Sequence, residues 1–188
     1  MAFNYQETRI TFTASDVPDL YAIHQRVMVV TDGDKAITYA PLGVDRERRM
    51  AVVLRSMPGV SMPGTDRQGD DMAADQKAVD DGMTFKVNAG IRLVKRSDGG
   101  ERMPTVDEAV AKWNAALLAG GFVASNTRMV ESNIAFYHKR LCQQTRLPFW
   151  AVSGTLTAVD AEKAAETMVR GIGRSRGLGF GMLQVVAS

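Results

Sequence analysis

The chain has 188 residues, 45% of them hydrophobic and 23% charged, with a formal net charge of +2; this is an ordinary globular composition, long enough to bury a core as one domain or as two small ones. No apolar run approaches the roughly 18 residues of a membrane-spanning helix, and residues 1–12 hold no basic stretch followed by an apolar segment, so neither a membrane span nor a signal peptide is expected. Cys142 is the single cysteine, which excludes a disulfide framework, nearly excludes a cysteine-based zinc site, and suits a reducing cytoplasm.

Residues 8–13 (TRITFT) alternate in polarity and predict a half-buried strand. A helix is expected next, with Asp16 as N-cap, Pro18 in the first turn, Asp19 favourable to the helix dipole, and Leu20, Ile23, Val27 and Val30 on one apolar stripe. Two strands are predicted near residues 36–44 and 50–57. Residues 58–82 carry two Pro-Gly pairs and many aspartates and read as a surface excursion, in which only 72–79 could form a helical turn or two. Strand-like content returns over 83–96, and the turn signal SDGGE after it marks the boundary between an N-terminal domain, 1–96, and a C-terminal one, 97–188. The second half opens with a capping box at Thr105 and Glu108, an apolar stripe of Val106, Val110, Trp113 and Leu117, and a stop at Gly120 and Gly121. Residues 122–129 and 133–139 are predicted to pair as a hairpin, 150–159 to form a strand, 160–170 a helix and 180–187 a closing strand. Each half approximates β-α-β-β-α-β, which predicts an α+β fold of two tandem ferredoxin-like (RRM-like) domains, helices covering one face of each sheet and the other face free to bind.

Charge is divided unevenly. Residues 1–85 hold 9 basic and 13 acidic side chains, net −4, whereas residues 86–188 hold 14 and 8, net +6. The basic half suits a polyanion such as RNA. It ends in Gly171-Ile-Gly-Arg-Ser-Arg-Gly-Leu-Gly-Phe-Gly181, five glycines and two arginines that read as an anion-holding loop. The loop follows a helix and precedes a strand, the reverse of the nucleotide-binding order, so a mononucleotide fold is disfavoured. In the first helix the spacing of Tyr21 and His24 puts them on one face beside the apolar stripe. Such a pair can move protons, because histidine titrates near neutrality and a tyrosine hydroxyl can orient substrate; it can equally well edge the core. Tyr137-His138-Lys139-Arg140, with Arg146 nearby, reads as a contact strip for a phosphate backbone or as a solvated hairpin. Metal-ligand spacings are missing, and Ser153 lacks the flanking glycines of a nucleophile elbow, so neither a metal centre nor a serine hydrolase is expected.

Asp19-Leu-Tyr-Ala-Ile-His-Gln25, Val53-Leu-Arg-Ser with Pro58 after it, Phe85-Lys-Val-Asn-Ala, Trp113 in a capped helix, Ser153-Gly-Thr-Leu-Thr and the terminal glycine loop together resemble the CasE family, the CRISPR-repeat endoribonucleases of type I-E systems, in the RAMP superfamily. The resemblance spans nearly the whole chain. It implies cofactor-free, metal-independent cleavage of precursor CRISPR RNA at the 3′ base of the repeat stem-loop by 2′-hydroxyl attack, with no DNA cleavage. It further implies His24 as general base or acid and Tyr21 positioning or stabilising the scissile phosphate. Gly173, Arg174, Ser175 and Arg176 would hold the RNA backbone, and Lys139, Arg140 and Arg146 would lie on a hairpin that contacts the stem. Other subunits of a CRISPR effector complex are the implied partners. A catalytically inactive RNA-binding subunit of the same fold, and the same nuclease serving a type IV system, are the alternatives.

Overall fold

The structure is a computed structural model and describes residues 2–60, 74–97, 100–138 and 142–187. The first sheet contains β1 (Phe3–Thr13), β2 (Thr38–Val44), β3 (Arg49–Ser56) and β4 (Ala74–Val79) in the order β2-β3-β1-β4, every neighbour antiparallel. Between β1 and β2 runs α1 (Leu20–Val30), which buries Leu20, Ile23 and Val27 against Ile10, Val52, Leu54 and Tyr39 of the sheet. Its N-cap is Asp19, whose Oδ1 accepts the Ala22 N–H at 2.8 Å. Asp16, expected to cap the helix, instead ends a short 3-10 turn, Ala14–Asp16. Pro18 is the reason: it disfavours helical backbone at Val17, so the helix can begin only after it.

Residues 74–79 form a strand rather than the helical turn expected there. Without them β1 would present an open edge. β4 closes it with Phe3 facing Val79 and Thr8 facing Ala74, and this ladder outweighs the weak local preferences of an Ala-Asp-Gln-Lys run.

The second sheet contains β5 (Thr84–Ile91), β8 (Phe122–His138), β9 (Gln143–Ala158) and β10 (Gln184–Ala187) in the order β10-β5-β9-β8, again antiparallel throughout. A small ribbon of β6 (Lys95–Ser97) and β7 (Gly100–Arg102) stands between β5 and α2 (Val106–Ala119), while α3 (Ala161–Arg170) links β9 to β10. Strand by strand this is a complete βαββαβ unit. It begins at β5, so residues 84–91, grouped with the first half in the sequence reading, are a strand of the second sheet, and the strands divide between the sheets at residues 80–83 rather than at the SDGGE turn. The predicted hairpin of 122–129 with 133–139 is also corrected. As far as His138 those residues form one strand, β8, paired with β9 on both sides of a bulge between Ser125 and Arg128; the ladder with β9 holds Val130-Glu-Ser132 extended where a turn was expected. The closing strand is shorter than expected, starting at Gln184.

The capping box holds as predicted: Thr105 accepts the Glu108 N–H and the Glu108 carboxylate accepts the Thr105 N–H. The stripe of α2 is rotated from the expectation, with Ala109, Trp113 and Leu117 buried and Val106 exposed. Together α2 and α3 cover Phe85, Val87, Ala89, Ile91, Trp150, Val152 and Leu156 on one face of the second sheet. That cluster also contains Tyr5 and Val79 of the first sheet, so α3 lies between the two units and shares its core with both.

The C-terminus of α3 anchors the start of the glycine loop. A helix leaves its last four carbonyls without helical partners, and here each has one. The Thr167 carbonyl accepts from the Gly171 N–H at 2.8 Å, that of Met168 from Arg55 Nη1 at 3.2 Å, that of Val169 from the Thr38 hydroxyl, and that of Arg170 from Arg176 Nη1 at 3.0 Å. Two of the four donors come from the first sheet and one from the side chain of a loop arginine.

Candidate active site

Backbone crowding explains most of the glycine loop. Gly173 has φ +91° and a Cβ there would lie 2.8 Å from the Arg92 carbonyl oxygen; Gly181 has φ +87° and its Cβ would lie 2.3 Å from the Ile172 carbonyl oxygen. Both positions combine left-handed backbone with a close strand crossing that only glycine allows. These glycines therefore shape the loop, a need that stands beside the anion-holding one read from the sequence. Gly177 differs. A Cβ at this residue would meet only the His24 imidazole, 3.9 Å from Cε1.

The loop thus brings the two ends of the chain together. Residues 176–178 form a 3-10 turn that lies against α1, and Phe180 and Leu178 pack into the same apolar cluster as Ile23 and Val27. His24 is half-buried. Its ring lies between Tyr21, with centroids 6.4 Å apart and planes tilted by 48°, and Tyr39 of β2, also at 6.4 Å but nearly parallel at 24°. Nδ1 is buried without a hydrogen-bond partner. The Tyr21 hydroxyl accepts from Gln25 Nε2 at 3.1 Å. Beside the imidazole opens a cavity of about 690 Å³ with Val27, Met28, Ile37 and Val60 in its walls and Lys35 and Arg176 among its polar residues.

The loop arginines are held in place rather than projecting free. Arg174 forms an ion pair with Glu101 of β7, and its backbone N–H donates to the Arg92 carbonyl at 2.9 Å. Arg176 caps α3, using one of its five donors. Ser175 accepts from Arg92 Nη1 at 3.2 Å. Arg92 and Tyr39 are the residues that sequence reasoning missed; a cation ending an apolar strand, and a tyrosine within one, were the available signals.

Of the hairpin residues, Arg146 is exposed on β9 facing Ala135, while Lys139 and Arg140 lie outside the described residues. A hydrogen bond links this hairpin to the histidine helix. Asp19, having capped α1 with Oδ1, accepts the backbone N–H of Tyr137 with Oδ2 at 2.9 Å. Asn at position 19 keeps a single acceptor oxygen, sufficient for the cap but not for both bonds. Asp19→Asn is therefore expected to leave α1 intact and to speed amide hydrogen exchange at Tyr137, by roughly fivefold for one hydrogen bond of about 1 kcal/mol. Unchanged exchange at Tyr137 would show that the carboxylate does not tether the hairpin.

Two four-stranded antiparallel sheets, each with the ferredoxin-like strand order, define the molecule as a tandem ferredoxin-like protein of α+β class. The chain belongs to the CRISPR-associated protein family, whose model matches residues 6–186. Among solved structures it is similar to Thermus thermophilus Cse3 bound to an RNA representing a pre-cleavage complex, at 19% identity and a TM-score of 0.74 over 98% of this chain and 100% of that one. It is also similar to the CRISPR-associated protein Cas6e from Escherichia coli K-12, at 17% identity and a TM-score of 0.69 over 97% and 98% of the two chains. A chain from a CRISPR RNA-guided surveillance complex matches at 15% identity with a TM-score of 0.66, over 97% of this chain and all of that one. No curated protein sequence matches significantly. Among the described residues no helix is long and apolar enough to cross a membrane.

Proposed function

We propose that the protein is a cytoplasmic endoribonuclease that cuts precursor CRISPR RNA at the 3′ base of the repeat stem-loop and works beside other subunits of a CRISPR effector complex. One observation carries this reading: in a chain of this family, an imidazole from the first helix meets Gly177 of the glycine-arginine loop from the far end of the sequence. The RNA bound in the Cse3 structures of the same fold supports the substrate class.

The chemistry asks little of the protein. The 2′-oxygen attacks the adjacent phosphorus, the bond from phosphorus to the 5′-oxygen breaks, the 2′-hydroxyl gives up its proton and the leaving oxygen gains one, yielding a 2′,3′-cyclic phosphate and a 5′-hydroxyl. In-line placement and a positioned proton carrier suffice, without a metal ion. His24 is that carrier; since Nδ1 is buried, exchange with substrate falls to Nε2. Tyr21 orients the scissile phosphate. Arg174, Ser175 and Arg176 hold the flanking backbone on a loop whose path Gly173 sets, and the hairpin with Lys139, Arg140 and Arg146 grips the stem.

Labelled repeat RNA incubated with the protein in EDTA tests this. We expect one cut, a cyclic phosphate by mass spectrometry, and an RNA carrying 2′-deoxyribose at the scissile nucleotide that binds but stays whole. Arg174→Ala/Arg176→Ala should weaken binding. Failure to bind any repeat stem-loop specifically would sink the functional class, and tight binding with no cleavage would leave an RNA-holding subunit instead.

A further inference from the structure

We propose that Tyr39 is a positioning residue, holding the His24 imidazole and the glycine loop in register with each other; this rests on the reading of His24 as proton carrier. A histidine that moves protons is commonly oriented by a carboxylate or carbonyl on its second nitrogen, and His24 has no such partner, Nδ1 being buried and unbonded. Orientation has to come from packing. Tyr39 supplies it: only 4% exposed, its ring lies nearly parallel to the imidazole with centroids 6.4 Å apart.

The same side chain fixes the loop. Its hydroxyl donates to the Gly177 carbonyl at 2.8 Å, across 138 residues of sequence. Two residues on, a Cβ at Gly179 would come 3.3 Å from Tyr39 Cε2 and 2.7 Å from Pro41 Cδ, so the loop is seated directly on β2. Burial raises the phenol's pKa well above the usual tyrosine range, which keeps the hydroxyl a donor across the working pH range. Tyr39 is itself held in the ladder of the first sheet, where it pairs with Leu54 of β3. Tyr21 also neighbours His24, but its hydroxyl accepts from Gln25 within α1, and among the described residues the hydrogen bond that reaches the loop is that of Tyr39.

Tyr39→Phe keeps the ring and deletes only the donor, so the fold is expected to survive. Freed from its register, the loop would misplace phosphate relative to imidazole, and single-turnover cleavage should fall about tenfold or more, with RNA affinity and the thermal midpoint close to wild type. A readout independent of cleavage is the side-chain nitrogen spectrum of His24, one of only two histidines and assignable with His24→Gln. Wild type should give a single ring environment and Tyr39→Leu, which removes ring and hydroxyl together, an averaged one. Unchanged cleavage by Tyr39→Phe, or a loss matched by equal losses of affinity and thermal midpoint, would overturn the proposal, as would a His24 spectrum indifferent to Tyr39→Leu. Cleavage that survives His24→Ala would remove the proton role of His24, while the spectrum would still decide whether Tyr39 orients the ring.

Discussion

His24→Ala is expected to bind repeat RNA with near-native affinity and to leave it uncut, its single-turnover rate falling about a thousandfold, the middle of the range for losing a general acid or base. Affinity should persist because the imidazole forms no ion pair among the described residues, and the cations that would meet phosphate are those of the loop and the hairpin. The fold should persist too. The Tyr39 hydroxyl holds Gly177 without help from His24, and truncating one half-buried side chain that makes no hydrogen bond costs about 1 kcal/mol. The hole left between Tyr21 and Tyr39 has the shape of an imidazole, so adding imidazole to the reaction should recover part of the rate. Tyr21→Phe, which loses a hydroxyl but no titrating group, is expected to cost far less, about tenfold. Cleavage by His24→Ala at the wild-type rate would mean that another group moves the proton and that the meeting of α1 with the loop serves packing alone.

Legibility in the sequence tracks the range of the physics that encodes each element. Elements governed by neighbours in the chain were readable: the capping box of α2, the stop at Gly171 after α3, and the face of α1 that carries Tyr21 and His24 are all set within a few residues. Elements decided by distant partners were not. Residues 74–79 become a strand only because β1 needs an edge partner, β5 joins the second sheet only because β9 and β10 flank it, and the long β8 is straightened by fifteen paired residues of β9. The candidate site divides the same way. His24 and the loop were each visible as local patterns, but their meeting is a tertiary fact, and so are the roles of Tyr39, Arg92 and Arg55. The surplus of glycines carries two meanings for a related reason: a Cβ clash with Arg92 or Ile172, far off in sequence or around a bend, leaves the same mark on sequence as a need to approach phosphate.

Arg55→Ala is expected to destabilise the protein by about 3 kcal/mol, lowering the thermal midpoint by roughly 6–12 °C for a chain of this size. Arg55 follows the apolar run Met50–Leu54 of β3 and is 3% exposed, a placement that a guanidinium tolerates only when its donors are satisfied. Nε donates to Glu7 Oε2 at 2.7 Å, and Nη1 to the Met168 carbonyl at 3.2 Å and the Leu183 carbonyl at 2.6 Å. The guanidinium Cζ lies over the Tyr5 ring, 5.3 Å from the centroid. The side chain therefore joins the first sheet to the end of α3 and to the segment entering β10, the two points from which the glycine loop is hung. Alanine would strand two buried carbonyls and one carboxylate. Lysine, with a single compact ammonium, cannot reproduce the fork and should recover only part of the loss. Methionine separates packing from polarity: it restores apolar volume but leaves both carbonyls bare, so Arg55→Met should stay close to Arg55→Ala. Glu7→Gln, altering one partly solvated partner, should cost about 1 kcal/mol. Urea denaturation with an unchanged slope would report these differences. Full recovery by methionine would show that the seam between the two units is held by volume alone; a deficit shared by alanine and methionine would show that the guanidinium's hydrogen bonds fix where α3 ends, and with it where the loop meets His24.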